Sequence, residues 1–357
     1  MTGIISYGAY IPYWRLQRST LASALGSGGA KGARAVASFD EDTTSMGVEA
    51  SRIALRGVSE KYSPQSLWFA TAEPGYLDKT NANAIHAALS LESSVNAFDC
   101  LGSVRSGIAA VHAAASGNSI AVLSDIRTGL PGGSDESMGG DGAAALCFGT
   151  ENVIAEFIST GTSTSEFVDR WRTPGDQASK QWEERFGEYA YAPLVEVAFN
   201  EALKKANLTA ADVSHSIFSG LHTRAVKAAP KSCGINLDTL RDDFAATLGN
   251  SGTAHWGVML ANVLDTAQPN EVIAIVVLAD GVNVILLRTT EALSAHQKQQ
   301  DPSLTVQAQI AAGRNDLSYA QFLTWRGFLH REPPRRPEPD RPAGPPSLRT
   351  ELGRAHV

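Results

Sequence analysis

Short apolar runs alternate along this chain with longer segments in which apolar residues recur every three or four positions. Several of the runs lack a polar residue at every second position, which is typical of strands buried on both faces of a sheet. We predict strands at residues 4–10, 67–71, 95–99, 120–124, 144–148, 153–158, 216–219, 272–278 and 282–287. We predict helices at residues 44–61, 81–89, 101–115, 189–205, 223–233, 237–246, 255–264 and 319–326. Strands separated by helices predict an α/β protein.

The order of these elements repeats along the chain. Each half ends with two consecutive strands that have no helix between them, at residues 144–158 and 272–287. Because no sequence identity between the halves is visible, this duplication rests on element order alone. We therefore divide the chain into two halves, a short helical segment and a tail that holds seven of the 16 prolines. The predicted divisions are 1–165, 166–290, 291–330 and 331–357.

Composition excludes several classes of protein. The chain has 357 residues, of which 43% are hydrophobic and 19% charged, as expected of a packed globular protein. Its net charge of −7 gives it no basic excess for binding nucleic acid or an anionic membrane. No apolar run approaches the ~20 residues that span a bilayer, and the first residues do not resemble a secretion signal. The three cysteines form no CxxC pair, so we expect a cytoplasmic protein without disulfides.

Cys100 stands where a predicted strand runs into a predicted helix, in VNAFDCLGSVRSG. A sulfur at a helix N-terminus lies beside unpaired amides and the positive end of the helix dipole, which lower its pKa and make it a nucleophile. The alternative is a small buried core residue, the commoner fate of a free cysteine. Cys147 and Cys233 have the contexts of a core thiol and a surface thiol.

Four polar residues stand at the ends of predicted elements, and two of them follow strands, where α/β proteins keep their sites. Glu73 follows the run LWFAT, and His222 follows SIFSGL in the second half. Asn250 and His255 lie in LGNSGTAHWG, a glycine-flanked turn before a helix. Each also has a structural interpretation, as a turn residue or as a solvated residue at a helix start. The convergence of the four on equivalent strand ends favours an active site with a thiol nucleophile.

The ordered set of motifs resembles the thiolase superfamily. The set comprises TAEPGYLDKTNA, NAFDCLGSVRSGIAA, GGDGAAALCFG, FSGLHTRAVKA, LGNSGTAHWGVML and VVLADGVNVILL. The N-terminal SYGAYIPYWRL and AVASFDEDTTSMGVEASRIAL are most similar to the hydroxymethylglutaryl-CoA synthases of archaea and their bacterial relatives. The resemblance covers about residues 3 to 290. It implies an α/β fold of two five-stranded βαβαβαββ halves, stacked as α/β/α/β/α and forming a homodimer.

The resemblance also implies a mechanism. Cys100 would take an acyl group from an acyl-CoA, Glu73 would remove a proton from the acetyl methyl, and the enolate would attack the ketone of a second thioester such as acetoacetyl-CoA. Water would then release the product. His222 and Asn250 would orient the second substrate and the thiolate. The backbone amides of Cys100 and Gly281 would stabilise the thioester oxyanion.

Two departures from the family pattern concern the second substrate. His222 stands about three residues later than a histidine in a Phe-His-x-Pro context, and Gly252 and His255 follow Asn250 where small and hydroxyl residues are more typical. The alternatives are therefore a decarboxylative enzyme similar to ketoacyl synthase III, another thiolase-fold acyltransferase, or a non-catalytic scaffold that binds acyl-CoA. The loops at residues 125–142 and 171–187 would shape the acyl pocket.

The remaining expectations concern ligands and partners. Arg224, Lys227 and Lys231, with His255, are candidates for binding the substrate or CoA phosphates, although a solvated helix face explains the three basic residues equally well. Asp135, Glu136 and Asp141 lack a metal-ligand spacing, so we predict no metal and no cofactor apart from coenzyme A thioester substrates. We expect residues 319–329 to dock on the body or on a zinc-ribbon and OB-fold partner protein, which in related systems assembles with a thiolase.

Overall fold

The apolar runs form a central nine-stranded sheet in the computed structural model, which describes residues 2–26 and 31–332. The strands are β1 (Gly3–Tyr10), β2 (Trp14–Gln17), β3 (Ala33–Val36), β4 (Ser66–Thr71), β5 (Asn96–Leu101), β6 (Ser119–Asp125), β7 (Gly142–Gly149), β8 (Ala155–Thr164), β9 (Arg170–Trp171), β10 (Lys180–Gln181), β11 (His215–Gly220), β12 (Val272–Leu278) and β13 (Gly281–Thr289). The helices are α1 (Arg18–Leu25), α2 (Thr43–Arg56), α3 (Ala82–Ala88), α4 (Ser106–Ala114), α5 (Ser134–Met138), α6 (Glu184–Ala206), α7 (Thr223–Ser232), α8 (His255–Leu264), α9 (Ala292–Gln299), α10 (Val306–Ala311) and α11 (Tyr319–Trp325).

The sheet joins two halves of the same design. Its strand order is β11-β12-β13-β8-β1-β7-β6-β4-β5. Because β8 pairs along most of its length with β13, it is counted here with the second half although it lies before residue 165, which gives five strands to the first half and four to the second. The halves meet where β1 pairs with β8, at Gly3 and Ile4 only. In each half the last strand, β7 or β13, runs antiparallel to both of its neighbours, whereas β6 and β12 are parallel to β4 and β11. The consecutive strands predicted at residues 144–158 are β7 and β8, which do not pair with each other, because β8 pairs with β13 and β1.

The second half lacks the fifth strand that the resemblance implies. In its place, within the described residues, Leu240 forms an isolated parallel bridge with Ser216. The predicted helix at residues 237–246 is wrong, because this segment forms only a 3-10 turn at Leu237–Thr239. Asn236 and Arg241 bind nearby backbone groups with their side chains, and such local bonds compete with helix formation.

Helices cover both faces of the sheet and fill the space between its halves. The helices α2 and α3 pack on one face of the first half, while α6 and α7 pack on the outer face of the second. Between the two halves lie α4 and α8, whose side chains share one apolar cluster with strands of both. This arrangement is the predicted α/β/α/β/α stack.

The C-terminal segment docks on the body. Phe322 of α11 is fully buried with Leu16, Leu21, Val36 and Leu317. The Arg34 guanidinium lies 5.1 Å from the centre of the Phe322 ring, a cation–π contact. Docking of residues 319–329 on the body was one of the two predicted outcomes.

Nearly all of the predicted tail, from residue 333 onward, lies outside the described residues. No helix in the described ranges is long and apolar enough to cross a membrane.

Candidate functional site

A cavity of about 520 Å³ opens at the carboxyl ends of parallel strands, between the two halves. The first half contributes residues that follow β4 and β5, and the second half contributes residues that follow β11 and β12. Carboxyl ends of parallel strands are where open α/β sheets bind their ligands. The loop at 169–179 covers one side of the cavity. The two loops predicted to shape the pocket therefore both reach it, through Arg127 in one and through residues 171–179 in the other.

Glu73 lies in this cavity, two residues beyond the end of β4. Its amide donates to the Thr71 hydroxyl at 2.9 Å, and its carbonyl accepts from the Thr43 hydroxyl at 2.9 Å. Its carboxylate Oε2 accepts from the guanidinium of Arg172, which also donates to the Ala72 carbonyl. These contacts fix the backbone on both sides of Glu73 and hold one carboxylate oxygen, as a base on a strand end requires.

His222 lines the same cavity from the second half. It is the N-cap of α7, and its Nδ1 accepts a 3.1 Å hydrogen bond from the Ala225 amide. A neutral ring so bound carries its proton on Nε2. A side chain at Gly187 would collide with the ring, and the Tyr191 ring lies 6.0 Å away. The imidazole therefore has a fixed orientation against α6.

Asn250 and His255 lie in an adjoining, smaller cavity. The Asn250 amide Nδ2 donates to the Gly220 carbonyl at 2.9 Å, while its Oδ1 accepts from the Gly252 amide at 2.9 Å. Burial lowers the pKa of His255 to about 4, so its ring is neutral at pH 7. The interpretation of His255 as a solvated residue is therefore wrong. Arg127 and Leu221 line both cavities and separate the Glu73 side from the Asn250 side.

Cys100 does not have the predicted environment. It lies within β5 opposite Ala70 of β4, and α4 begins only at Ser106. The prediction that its sulfur lies at a helix N-terminus is wrong, because pairing with β4 keeps the chain extended through Leu101. Burial, together with the charge of Asp99, raises the pKa of the Cys100 thiol. Cys100 is half-buried and packs against the core between the two halves, whereas the cavity is lined by residues 101–104.

The other predicted binding groups are spread around the two cavities. Gly281 begins β13 next to the cavity residue Asp280, and a side chain there would collide with the Ser163 carbonyl. Neither Gly281 nor Cys100 lines the larger cavity among the described residues, so their pairing as an oxyanion site stays a prediction. On α7, Arg224, Lys227 and Lys231 are exposed, and Lys227 lines the smaller cavity.

The acidic residues that precede β7 bind arginines and a tyrosine. Asp135 forms a two-point ion pair with Arg170, at 2.5 and 2.8 Å. Asp141 binds Arg34 and Arg326, and all three side chains are buried. Glu136 accepts a 3.0 Å hydrogen bond from the Tyr319 hydroxyl. These contacts hold the loop before β7 and the helix α11 in place. Each of the three carboxylates therefore has a structural role.

Several residues that line the cavity were not identified as candidates from the sequence. Arg127 follows β6 as Glu73 follows β4, so the same strand-end argument could have identified it. Arg172 and Asp169 belong to the loop DRWRTPGD, and no spacing in the sequence relates that loop to Glu73. Burial, and then the charge of Asp280, raise the pKa of Asp169. Their positions depend on how the second half packs on the first.

Curated relatives of this chain are hydroxymethylglutaryl-CoA synthases. The synthase of Pyrobaculum aerophilum is 26% identical over 346 residues, which cover 92% of this chain and 98% of that relative. No protein-family model matches the chain. The alignment extends over both halves, so the similarity is not confined to one motif.

Solved structures share the fold at low sequence identity. A crystal structure of an HMG-CoA synthase complexed with CoA superposes with a TM-score of 0.75 at 16% identity, covering 90% of this chain and 89% of that one. The 3-oxoacyl-(acyl carrier protein) synthase III of Pseudomonas aeruginosa superposes with a TM-score of 0.71 at 16% identity, covering 81% and 98%. The predicted fold class and the predicted resemblance are confirmed.

Proposed function

We propose that this chain, a homologue of hydroxymethylglutaryl-CoA synthases with a thiolase-like fold, is an acyltransferase that condenses two acyl-CoA thioesters. The observation that carries the proposal is that Glu73 and His222, which follow β4 and β11 in corresponding places of the two halves, line one cavity. The full-length similarity to synthases supports the same reaction. Acetyl-CoA and a 3-ketoacyl-CoA such as acetoacetyl-CoA are the substrates proposed.

The carbon–carbon bond forms in two steps. The Glu73 carboxylate takes a proton from the methyl group of an acetyl thioester, and the resulting enolate attacks the ketone carbon of the acceptor. The ketone oxygen becomes a hydroxyl by taking up a proton. Water then hydrolyses the acetyl-derived thioester, which yields a carboxylate and a thiol. Arg172 holds Glu73 toward the cavity through one oxygen, which leaves the other for the proton transfer.

In the proposed reaction Cys100 carries the acetyl group. The Cys100 thiol gives up its proton and attacks the thioester carbonyl of acetyl-CoA, and the proton passes to the CoA sulfur, so that CoA leaves as its thiol. His222 and Asn250 are proposed to orient the acceptor and the thiolate. The backbone amides of Cys100 and Gly281 are proposed to bind the thioester oxygen. Arg224, Lys227 and Lys231 on α7, with His255 at the smaller cavity, are proposed to bind the acceptor or its CoA.

One observation favours a second candidate, an acyl-CoA-binding subunit that forms no acyl-cysteine. The cavity residue nearest to the start of α4 is Val104, two positions before the helix, while Cys100 lies four positions earlier still, in the edge strand. Val104 is buried and belongs to the core. A valine has no group that can accept an acyl chain.

Mass spectrometry of the intact protein after incubation with acetyl-CoA separates the two candidates. The condensing enzyme should gain one acetyl group that C100A abolishes and that the matched variant C233A retains. E73Q should still be acetylated but should form no condensation product. Binding of acetyl-CoA without any acetyl increment would favour the second candidate, and absence of binding would overturn both.

The edge strand β5 supports the predicted homodimer. It ends the sheet and exposes Phe98 (43%) and Leu101 (39%). An exposed apolar edge strand invites pairing with another strand, and a two-fold axis would pair β5 with its own copy in antiparallel fashion. F98E should shift the mass measured by light scattering from dimer to monomer, whereas L130E, at another exposed site, should not. The zinc-ribbon and OB-fold partner and the thiolase stay predictions.

A further inference from the structure

Arg127 is a buried arginine whose guanidinium has no ion-pair partner among the described residues. Only 8% of the residue is exposed, and its side chain lines both cavities. Its backbone is fixed, because its amide donates to Asp141 at 2.9 Å and its carbonyl accepts from Arg34 at 2.7 Å. Among the described residues, the guanidinium donates no hydrogen bond to a side chain or carbonyl and forms no ion pair.

The carboxylates around Arg127 are already bound. Asp125 accepts from the Thr71 hydroxyl at 2.9 Å and from the amides of Ala72 and Thr253 at 2.7 Å each. Asp135 is held at both oxygens by Arg170. Their charges act on Arg127 through space, but neither contacts its guanidinium within ion-pair distance.

Three arginines converge on this end of the cavity, and two of them have a carboxylate in contact. Arg170 pairs with Asp135, and Arg172 pairs with Glu73. Burial, with the positive charges of Arg170 and Arg172 adding to it, lowers the pKa of Arg127, although an arginine stays charged at neutral pH. A buried charge without a partner is costly, so a site of this kind is built for an anion that arrives with the ligand.

In the proposed reaction the acyl group would be the part of the ligand that lies beside Arg127. A long pantetheine arm separates the CoA phosphates from the thioester, and in the proposed reaction the thioester lies beside Glu73, in the cavity that Arg127 lines. Apolar residues such as Leu77, Leu221 and Leu278 line the same cavity, which suits a short carbon chain. The planar guanidinium fork matches a carboxylate at two points.

We infer that Arg127 recognises a carboxylate on the acyl chain of the 3-ketoacyl acceptor, so that this substrate is the CoA monothioester of a dicarboxylic acid rather than acetoacetyl-CoA. This inference rests on the proposed function, because it assumes that an acyl-CoA occupies the cavity. It assigns to Arg127 a role in substrate specificity that is separate from proton transfer by Glu73.

Calorimetry with succinyl-CoA, butyryl-CoA and free CoA tests the inference. Succinyl-CoA and butyryl-CoA have acyl chains of the same carbon number, and only the first carries a carboxylate. We expect succinyl-CoA to bind about 10- to 100-fold more tightly than butyryl-CoA, the range for a hydrogen bond to a charged group. R127M should remove this preference, R127K should keep part of it, and R52M, which alters an exposed arginine on α2, should leave it unchanged.

Each other outcome has a distinct meaning. Equal affinity of the wild-type protein for both thioesters would overturn the carboxylate site and leave the proposed function standing. An equal loss of affinity for all three ligands in R127M would assign Arg127 to the CoA phosphates and overturn the inference. Absence of binding by any thioester would overturn the proposed function as well. Because the guanidinium has no protein partner to lose, R127M should fold, and its melting temperature without ligand provides the check.

Discussion

The Asp125 carboxylate accepts a 2.7 Å hydrogen bond from the amide of Thr253. Asp125 ends β6 in the first half, whereas Thr253 belongs to the turn in the second half that carries Asn250. The same carboxylate binds Thr71 and the Ala72 amide, directly before Glu73. One buried side chain thus fixes the position of the Glu73 segment relative to the Asn250 turn.

Replacing Asp125 should destabilise the protein and separate these two segments. D125A leaves three buried donors unpaired, each at a cost of about 1–3 kcal/mol, so we expect the free energy of unfolding to fall by at least about 3 kcal/mol. Urea denaturation followed by circular dichroism gives this value. D301A removes an exposed acid that caps a surface turn and should cost less than about 2 kcal/mol. Equal stability of D125A and the wild type would refute the role given to Asp125.

Removing the cation beside Glu73 should slow condensation more than it weakens binding. R172M leaves the Glu73 carboxylate without its contact, so we expect kcat to fall about 10- to 100-fold while KM changes little. Arg172 acts here as a positioning residue, and R172K should restore part of kcat. K180M, which removes an exposed ion pair on the same loop, is the control. A rise in KM with unchanged kcat would show instead that Arg172 binds substrate.

The pH dependence of alkylation should show that the pKa of the Cys100 thiol is raised in the protein without ligand. Because burial and Asp99 raise its thiol pKa, less thiolate exists at neutral pH than in a free cysteine. We expect the rate of iodoacetamide labelling at Cys100 to rise with pH through a midpoint above the ordinary value of about 8.5. Peptide mass spectrometry across a pH series measures the midpoint. Burial raises the pKa of Cys147 and Cys233 to about 12, so both serve as slow internal references. A midpoint below pH 7 would contradict this prediction and support the lowered thiol pKa expected at the start of a helix.

His255 should make the stability depend on pH in the acid range. Its pKa is lowered to about 4 in the folded protein by burial, against about 6.5 in the unfolded chain. Between these values the unfolded state binds more protons, so stability falls as the pH falls. The expected loss from pH 7 to pH 4 is about 3 kcal/mol. H255N should flatten the stability curve over this interval, and an unchanged slope would contradict the prediction.

Docking of α11 should depend on Phe322. F322A removes a fully buried ring and should cost about 3–5 kcal/mol if the helix stays in place. Because α11 lies at the end of the described body, we expect the helix to detach and become sensitive to trypsin at Arg326. A320S, an exposed position on the same helix, should remain resistant. Equal resistance in both variants would show that other contacts hold the helix.

Sequence alone determined the order and type of most elements. The runs at β1, β6, β7, β12 and β13 are continuous and apolar because both faces of these strands are buried. Glu73 and His222 were found because a strand end is visible in the sequence and the carboxyl ends of parallel strands share one edge of a sheet.

Tertiary structure decided the chemistry of the site. The strand β5 extends through Cys100 because it pairs with β4, thirty positions earlier in the chain. The thiol therefore lies in an edge strand and not at the start of a helix, where the sequence predicted it. Arg172 reaches Glu73 because its loop packs against the first half, and no local pattern in the sequence indicates that contact. Local residue spacing thus fixes which segments are strands and helices, whereas burial and charge at a side chain depend on residues distant in the chain.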